Sequence, residues 1–188
     1  MATPFTAPGT IGGYFSPKGD LDYFALRADQ PSLLKVELSG VDRIDSSLSL
    51  VRAAGDGQEK EQTLLRANDG AVREGDALVN VAATPGETLY LKVEAAARQV
   101  DGKWVRDQEN PSEPYSLTVT ARADEGLDER EPNDDAARAT PIEFGRPLRG
   151  LIHPKRDVDY YRLDLSGSPV KVPIKATASG ILKVDVAL

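Results

Sequence analysis

An internal repeat constrains the fold of this chain more than any other feature. Residues 2–4 (ATP) recur at 139–141, an offset of 137, and at the same offset residues 16–26 (SPKGDLDYFAL) align without a gap with residues 153–163 (HPKRDVDYYRL). Self-similarity at a fixed offset is the signature of a chain built from repeated structural units. We therefore predict a tandem repeat whose two units share one fold.

The second unit is predicted to be incomplete. After a slip of three residues, 39–41 (SGV) match 179–181 (SGI), and the last residue, Leu188, matches Leu48. No stretch of the second unit corresponds to residues 51–123. The sequence thus predicts three parts, which are a full unit over 1–123, an exposed acidic linker over 124–138, and the N-terminal part of a second unit over 139–188.

Short runs of alternating apolar residues fill the first unit. Alternation with a period of two is typical of β-strands that bury one face. The clearest runs are 33–38, 47–51, 78–82, 88–93 and 115–120. Strands of this length and spacing, in a chain with 16 glycines and 13 prolines, predict an all-β, antiparallel, jelly-roll-like β-sandwich.

Turn residues lie between these runs. Three segments carry residues that tolerate positive φ angles or favour tight turns, namely 55–57 (GDG), 68–70 (NDG) and 85–86 (PG). Helix is predicted only as a turn or so at residues 95–99 and 134–139, because neither stretch is long enough to be stable alone.

Net charge excludes two classes of partner. The formal charge is −7, and no cluster of Lys and Arg is present to grip a phosphate backbone, so binding to nucleic acid is not expected. The same argument disfavours anionic membranes. Membrane insertion is not expected, because no apolar run approaches the roughly 20 residues of a spanning helix. The first residues lack the regions of a signal peptide, so any export signal is expected outside this chain.

Residues 131–165 carry a family resemblance. They read EPNDDAARATPIEFGRPLRGLIHPKRDVDYYRLDL, with an EPND opening, an Ala-Thr-Pro, a glycine before a short strand, and a D-x-D-Y-Y strand. The first unit continues the pattern with GETLYLKV and a closing PYSLTV. This combination resembles the bacterial pre-peptidase C-terminal domain family, which is related to the collagen-binding domains of clostridial collagenases.

The resemblance implies a function without catalysis. Members of this family are β-sandwiches appended to secreted proteases and other exported proteins, where they are removed or aid substrate binding or secretion. The implied function is a non-catalytic accessory module, extracellular or periplasmic, that mediates binding, secretion or spacing. The alternatives are a module that binds a matrix protein or polysaccharide, and a pro-segment removed on maturation of a secreted protease. The related collagen-binding domains bind calcium through an E-x-E-P-N-D segment, so calcium is the implied cofactor.

The start of the second unit carries the donors that calcium requires. Ca²⁺ takes about six to eight oxygen ligands, mainly from carboxylates and carbonyls. An acidic segment beside two strand carboxylates offers Glu129, Glu131, Asn133, Asp134, Asp157 and Asp159. Asp157 and Asp159 are expected on one face of an extended strand. The alternative is an acidic linker that is simply solvated. The first unit offers only Asp20 and Asp22.

Aromatic residues are the candidates for binding a larger ligand. The alternation in residues 157–163 places Val158, Tyr160, Tyr161 and Leu163 in a core with the carboxylates at its rim. Stacking of Tyr160 on a sugar or peptide is the alternative. Trp104 lies in a polar stretch between two strands. It is either a lid on the edge of the sandwich or an exposed aromatic that binds a ligand.

No motif predicts an enzyme. The chain has one histidine and no cysteine, and it lacks the G-x-S-x-G, H-E-x-x-H, P-loop and G-x-G-x-x-G sequences. The expected partner is a protein or polysaccharide ligand outside the cell. Half a sandwich also exposes unpaired strand edges. The second unit is therefore expected either to dock on the first or to pair its strands with another chain.

Overall fold

The chain is described here from a computed structural model that covers residues 1–53, 60–166 and 173–179. Within these ranges every regular element is a β-strand. The bounds are β1 Thr3–Thr6, β2 Gly9–Phe15, β3 Leu21–Arg27, β4 Ser32–Leu38, β5 Ser46–Arg52, β6 Gln62–Ala67, β7 Asp76–Ala83, β8 Leu89–Ala95, β9 Arg98–Val100, β10 Lys103–Val105, β11 Asn110–Ala123, β12 Thr140–Ile142 and β13 Tyr161–Leu163.

Two sheets form a sandwich. One has the strand order β1-β3-β8-β5-β6 and the other β2-β11-β4-β7. Both sheets contribute to one core, in which Leu26, Leu48, Leu78, Leu91 and Leu117 are fully buried. Each buried leucine contributes about 1.5–3 kcal/mol through apolar surface removed from water. The predicted all-β sandwich is confirmed.

The alternating runs form strands where the sequence predicts them. All five overlap strands, which are β4, β5, β7, β8 and β11. In β4 the side chains of Leu34, Val36 and Leu38 are buried, while Lys35 and Glu37 between them are exposed. The alternation works as a signal because successive side chains of a strand point to opposite faces.

Among the strands of the described residues, pairing is antiparallel except in two pairs, which the predicted antiparallel arrangement did not include. β1 runs parallel to β3, with Thr3 opposite Phe24, and β12 runs parallel to β13, with Thr140 opposite Tyr161. Between β1 and β3 the chain passes through β2 in the other sheet, so it returns in its original direction. The two parallel registers are related by the offset of 137 residues.

The turn predictions are partly wrong. Gly86 has a positive φ of 84°, as predicted, but in the 68–75 connection the positive φ of 75° belongs to Arg73 and not to the NDG segment. This connection leads from β6 in one sheet to β7 in the other, so no tight hairpin turn is needed there. Residues 55–57, like Leu188 and most of 179–181, lie outside the described residues.

One of the two helix predictions also needs correction. The 95–99 stretch holds the end of β8 and the start of β9, because strand pairing overrides the weak helix propensity of a few alanines. Residues 134–139 hold a single turn, in which Arg138 N donates to Asp135 O at 3.1 Å. The described part of the chain contains no helix of the length and apolar character needed to cross a membrane.

The start of the second unit lies against the first. Lys155 N donates to Asp69 Oδ2 at 2.7 Å, and His153 Nε2 lies 3.1 Å from Ala77 O. The predicted second core does not form in the described residues, since Val158 is 53% exposed, Tyr160 43% and Tyr161 40%. The physical reason is that, among the described residues, β13 pairs only with β12, so these two short strands form no wider sheet that could bury a core.

Candidate metal centre

The acidic segment between the units pairs with the edge of the four-stranded sheet. Glu131 forms a parallel bridge with Val81 of β7. Its N–H donates to Asn80 O and its carbonyl accepts from Ala82 N, both at 2.9 Å. This pairing satisfies backbone groups that an edge strand otherwise leaves open.

The prediction of an exposed linker is therefore wrong for the heart of this segment. Its buried polar residues are Asp128, Glu129, Glu131 and Asn133. Pairing of the segment with β7, through Glu131 and Val81, holds these residues between the sandwich and the second unit. Because the paired residues are far apart in the chain, local composition does not reveal this contact.

Glu129 is completely buried and held from three directions. Its Oε1 accepts hydrogen bonds from Asn80 Nδ2 at 3.1 Å and from Leu151 N at 2.7 Å. Its Oε2 accepts from the Tyr161 hydroxyl at 3.1 Å. The donors come from β7, from the loop after Gly150, and from β13, so this carboxylate ties the second unit to the sandwich.

Glu131 and Asn133 each have one polar atom fixed and one oxygen free. Glu131 Oε2 accepts from Asn133 N at 2.8 Å, and Asn133 Nδ2 donates to Thr140 Oγ1 at 3.3 Å. Glu131 is 1% exposed and Asn133 0%. The remaining Glu131 Oε1 and Asn133 Oδ1 are buried without a hydrogen-bond partner in the described part of the chain.

Asp157 and Asp159 follow the same scheme. Asp157 Oδ2 accepts from His153 N at 2.8 Å, and Asp159 Oδ2 accepts from the Tyr161 hydroxyl at 3.2 Å. In both residues the other oxygen, Oδ1, is buried and has no hydrogen-bond partner within residues 1–53, 60–166 and 173–179. β13 begins at Tyr161, so Asp157 and Asp159 lie just before the strand. The prediction that they lie within a strand is wrong.

Five oxygens of the candidate ligand residues are buried without a hydrogen-bond partner among the described residues. They are Glu131 Oε1, Asn133 Oδ1, Asp134 Oδ2, Asp157 Oδ1 and Asp159 Oδ1. A buried polar atom without a partner costs about 1–3 kcal/mol, and folded proteins rarely leave several together. Oxygens that only accept are stabilised together by a cation.

The geometry supports a shared cation. One carboxylate oxygen from each of Glu129, Glu131 and Asp159 lies within 4.8 Å of the others. Among the described residues, no Lys, Arg or His nitrogen lies within 4 Å of the carboxylates of Glu129, Glu131, Asp134, Asp157 or Asp159. The protein thus supplies concentrated negative charge without an internal counter-ion in its described part.

Electrostatics in the cluster oppose ionisation. Burial, reinforced by the neighbouring carboxylates, raises the pKa of Glu129 to about 7 and that of Glu131 to about 8. Burial raises the pKa of Asp157 to about 6, and it raises the pKa of Asp159 as well. These groups need either protons or a cation to lie together.

Three of the six predicted ligand residues converge in the described part of the chain, and the other three lie close enough to act on them or are buried beside them. Glu129, Glu131 and Asp159 form the centre of the cluster, Asn133 adds its amide oxygen, and the charges of Asp134 and Asp157 act on the Glu131 carboxylate. Whether the cluster binds a metal stays a prediction. The donor types fit calcium, because Ca²⁺ prefers carboxylate and amide oxygens.

Sequence reasoning missed the residues that position the cluster. Asn80 Nδ2 donates a hydrogen bond to Glu129 Oε1, and Asn80 Oδ1 accepts one from Arg122 Nη2 at 2.9 Å. Gly150 leaves room for the site, since a Cβ there would overlap the Tyr161 hydroxyl and lie 2.6 Å from Glu129 Oε2. For Gly150 a signal existed, because it aligns with Gly13. Asn80 gives no signal in the sequence.

Next to the cluster, Asp128 is neutralised by arginines. Its Oδ2 accepts from Arg122 Nη1 at 2.6 Å and from Arg149 Nη2 at 2.9 Å. Burial opposes its ionisation, but the bonds from Arg149 and Arg122 outweigh burial and lower the pKa of Asp128. The pKa of Asp128 is lowered because arginines pair with it. The pKa values of Glu129 and Glu131 are raised because no cationic side chain of the described residues pairs with them.

The matching place in the first unit has another solution. Asp22 Oδ2 accepts from the buried Tyr115 hydroxyl at 2.5 Å, and Asp20 Oδ1 accepts from Leu21 N at 3.0 Å. Among the described residues, no group of three acidic side chains converges there. In the first unit, the hydroxyl of a tyrosine from β11 therefore satisfies Asp22. In the second unit, the equivalent Asp159 is surrounded by other carboxylates.

The two aromatic candidates are exposed. Trp104 lies on β10 in a two-stranded hairpin with β9 and is 73% exposed, so its interpretation as a lid is wrong. The hairpin pairs with neither main sheet, which leaves the indole without a surface to cover. Tyr160 is 43% exposed beside the cluster. Binding of a ligand by either residue stays a prediction.

Comparisons with known proteins give structural matches only. No protein-family model and no curated protein matches the chain. The chain is similar to the pre-peptidase C-terminal domain of a collagenase from Bacillus anthracis, at 16% identity over 64% of this chain and 95% of that domain, with a TM-score of 0.43. It is also similar to PliG, a periplasmic inhibitor of g-type lysozyme from Aeromonas hydrophila, at 18% identity over 65% of this chain and 100% of that one, with a TM-score of 0.35. The first match is the kind of domain that residues 131–165 resemble.

Proposed function

We propose that this chain is a calcium-binding, non-catalytic accessory module of an exported protein, in which the ion fixes the second unit to the sandwich. The observation that carries the proposal is the set of buried, unpartnered oxygens on Glu131, Asn133, Asp134, Asp157 and Asp159. Calcium is favoured over magnesium because the donors are many and come from side chains. Magnesium instead keeps several waters and uses one or two carboxylates.

The positions of the donors give the ion a structural role. The segment with Glu131 pairs with β7, whereas Asp157 and Asp159 belong to the stretch before β13. An ion shared by these groups links two parts of the chain that are held together otherwise by a few hydrogen bonds. A domain fixed in this way suits a module that spaces or presents other parts of an exported protein.

Calorimetry and thermal unfolding test the proposal. We expect heat of binding on titration with CaCl₂, and a midpoint of unfolding that is higher in calcium than in chelator. At a free concentration of 100 times the dissociation constant, calcium adds about 2.7 kcal/mol of stability. Absence of both effects at millimolar calcium would reject the site.

A matched pair of variants locates the effect. Asp157→Asn removes one charge from the cluster, and we expect it to weaken calcium binding about tenfold or more, since carboxylates supply most calcium ligands. Asp20→Asn makes the same change at the equivalent place of the first unit, and we expect calcium binding to be unchanged. Equal losses in both variants would show that the ion is not held by the cluster.

A second candidate function is supported by the exposure of Trp104. A large aromatic side chain that is 73% exposed on a projecting hairpin suits stacking on a polysaccharide or packing on a matrix protein. Co-sedimentation with insoluble polysaccharides and with fibrillar collagen, using wild type and Trp104→Ala, tests this role. Retention of wild type alone, with equal thermal stability of both proteins, is the expected result. Equal retention of both, or of neither, would contradict it.

A further inference from the structure

We propose that a cavity between β6 and the second unit binds a carboxylate group, which cationic residues from both units hold beside the acidic cluster. The cavity has a volume of about 160 Å³ and is lined by residues 63–66 of β6, by residues 154–157 and by Asp134. A space of this size accommodates a small anion or one acidic side chain. The inference rests on the proposed function in one respect only, which is that a bound calcium ion should strengthen carboxylate binding.

The cavity lies where the two units meet. The turn at residues 154–157 is held against the first unit, because Lys155 N donates to Asp69 Oδ2 at 2.7 Å and His153 Nε2 lies 3.1 Å from Ala77 O. Strand pairing with β5 fixes the other wall, which belongs to β6. Both walls are therefore positioned by hydrogen bonds among the described residues.

Three cationic residues line this cavity, namely Arg66, Lys155 and Arg156. Arg66 Nε donates to Ser47 Oγ at 2.8 Å, which orients the guanidinium. Among the described residues, no carboxylate oxygen lies within 4 Å of a side-chain nitrogen of these three residues. Arginine and lysine bind carboxylates through charge-assisted hydrogen bonds, which are stronger than neutral ones.

Arg156 has a backbone conformation that favours glycine. Its φ is 73°, and the equivalent residue of the first unit, at the offset of 137, is Gly19 with a φ of 77°. The turns at 17–20 and 154–157 are closed by the same N–H to carbonyl bond, at 3.0 Å in both. An L-residue with a side chain is unfavourable in this conformation, and such residues cluster at ligand sites. The second unit therefore places a cation at the cavity where the first unit has the less strained glycine.

The acidic residues of the cavity select the anion. Asp134 and Asp157 line it together with the three cationic residues, which leaves one net positive charge. That charge matches a single carboxylate, whereas a doubly charged phosphate would be repelled more strongly by the two aspartates. A bound calcium ion would offset the charges of Asp134 and Asp157, so calcium and the carboxylate should each increase the affinity for the other.

Titration with sodium acetate, followed by NMR of the ¹⁵N-labelled full chain, tests the site. Sodium chloride is exchanged for sodium acetate so that ionic strength, and with it charge screening, stays constant. We expect saturable shifts of the Arg66 and Arg156 side-chain Nε–H signals and of the Lys155 amide, with tighter binding in calcium than in chelator. The peptide acetyl-Gly-Glu-Gly-amide should cause the same shifts, and acetyl-Gly-Gln-Gly-amide should not. Tighter binding of the glutamate peptide than of acetate would support a protein source of the carboxylate, and equal binding a free anion.

Arg156→Gly is the decisive variant. It recreates the residue that the first unit has in the same turn, so the protein should fold, and we expect acetate binding about tenfold weaker from the loss of a charge-assisted hydrogen bond. Arg73→Gly is the matched control, because Arg73 has a φ of 75° and does not line the cavity. It removes the same charge and the same backbone strain, and acetate should bind as in wild type. Lys155→Met, which keeps the length of an exposed side chain, should also weaken binding.

Three results would overturn the proposal. They are the absence of saturable shifts, equal acetate affinity of Arg156→Gly and wild type, and equal shifts with the glutamine peptide. The calcium proposal fails separately. Without a calcium site, acetate would bind equally in calcium and in chelator, whereas without a carboxylate site, calorimetry with CaCl₂ would still show heat of binding.

Discussion

At the scale of single residues, the conflict between burial and charge is sharpest at Glu131. Its side chain is 1% exposed, one of its carboxylate oxygens has no partner, and burial together with neighbouring carboxylates raises its pKa to about 8. When it is ionised, such a residue weakens the metal-free protein, and a bound cation removes that cost. Substitution of Glu131 therefore distinguishes a role as a metal ligand from a role in stabilising the metal-free fold.

We predict opposite effects of Glu131→Gln on binding and on stability. The amide keeps the shape of the side chain but removes its charge, so calcium affinity should fall about tenfold or more. In chelator at pH 8 the midpoint of unfolding should rise, because a buried charge near other carboxylates is gone. Calorimetry and thermal unfolding measure the two effects.

Glu125→Gln is the matched control for this experiment. Glu125 is an exposed residue of the same acidic segment, and its replacement should change neither quantity. If Glu131→Gln destabilised the protein in chelator, the carboxylate would be contributing to the fold without an ion, contrary to the assignment.

At the scale of elements, the strands were predictable and the placement of the acidic segment was not. Alternation identified β4, β5, β7, β8 and β11 because the period of two is a local property of the sequence. The burial of Glu129 depends on Asn80, which lies far away in the chain. The local composition predicted that the acidic segment is exposed to solvent. Its burial results from the long-range contact with β7.

The candidate site shows the same division. The convergence of Glu129, Glu131 and Asp159 could be anticipated, because the acidic segment around EPND and the D-x-D-Y-Y segment are local patterns. The orientation of their oxygens could not, since each depends on a donor such as Leu151 N, His153 N or the Tyr161 hydroxyl. The covering of the second unit was predicted wrongly because alternation marks a face without revealing whether anything packs on it.

Asn80 joins β7 to the cluster and gives a prediction at this scale. Asn80→Gly should weaken calcium binding about tenfold, as is usual when a group that orients a metal ligand is removed. Glycine accepts the positive φ of 55° at this position, so the backbone should not be strained. Asn68→Gly, at an exposed residue just after β6, should leave calorimetric affinity unchanged.

The cluster also predicts the pH dependence of the calcium-free protein. The pKa of Glu129 is raised to about 7 and that of Glu131 to about 8, above the value of about 4.3 in an unfolded chain. The folded state therefore binds more protons than the unfolded state between about pH 4.5 and 8. Its free energy of unfolding should fall as the pH rises through that window.

Chemical denaturation in chelator at several pH values between 5 and 8 measures this trend. With calcium present the decline should be reduced or reversed, because the ion binds the deprotonated carboxylates. A calcium-free stability that rises with pH over this range would contradict the buried positions of these groups.

At the scale of the whole molecule, the sandwich is complete before the second unit begins. The core draws on strands from β1 to β11, and the later segments add contacts at the edge of β7. A fragment of residues 1–123 should therefore unfold cooperatively, as followed by circular dichroism. Its midpoint should not respond to calcium, since it lacks every residue of the cluster. A midpoint that rises in calcium would place an ion elsewhere in the sandwich.

The pairing of Glu131 with Val81 has a mechanical consequence. The chain leaves β11 at Ala123 and then bridges the edge strand β7 in parallel at Glu131, so tension applied across this point loads the edge contact and the acidic cluster before it reaches the core. A bound ion would then act as a latch whose strength follows the calcium concentration. When the latch opens, about 40 residues are released as extra length, at up to about 3.3 Å each, while the sandwich stays folded.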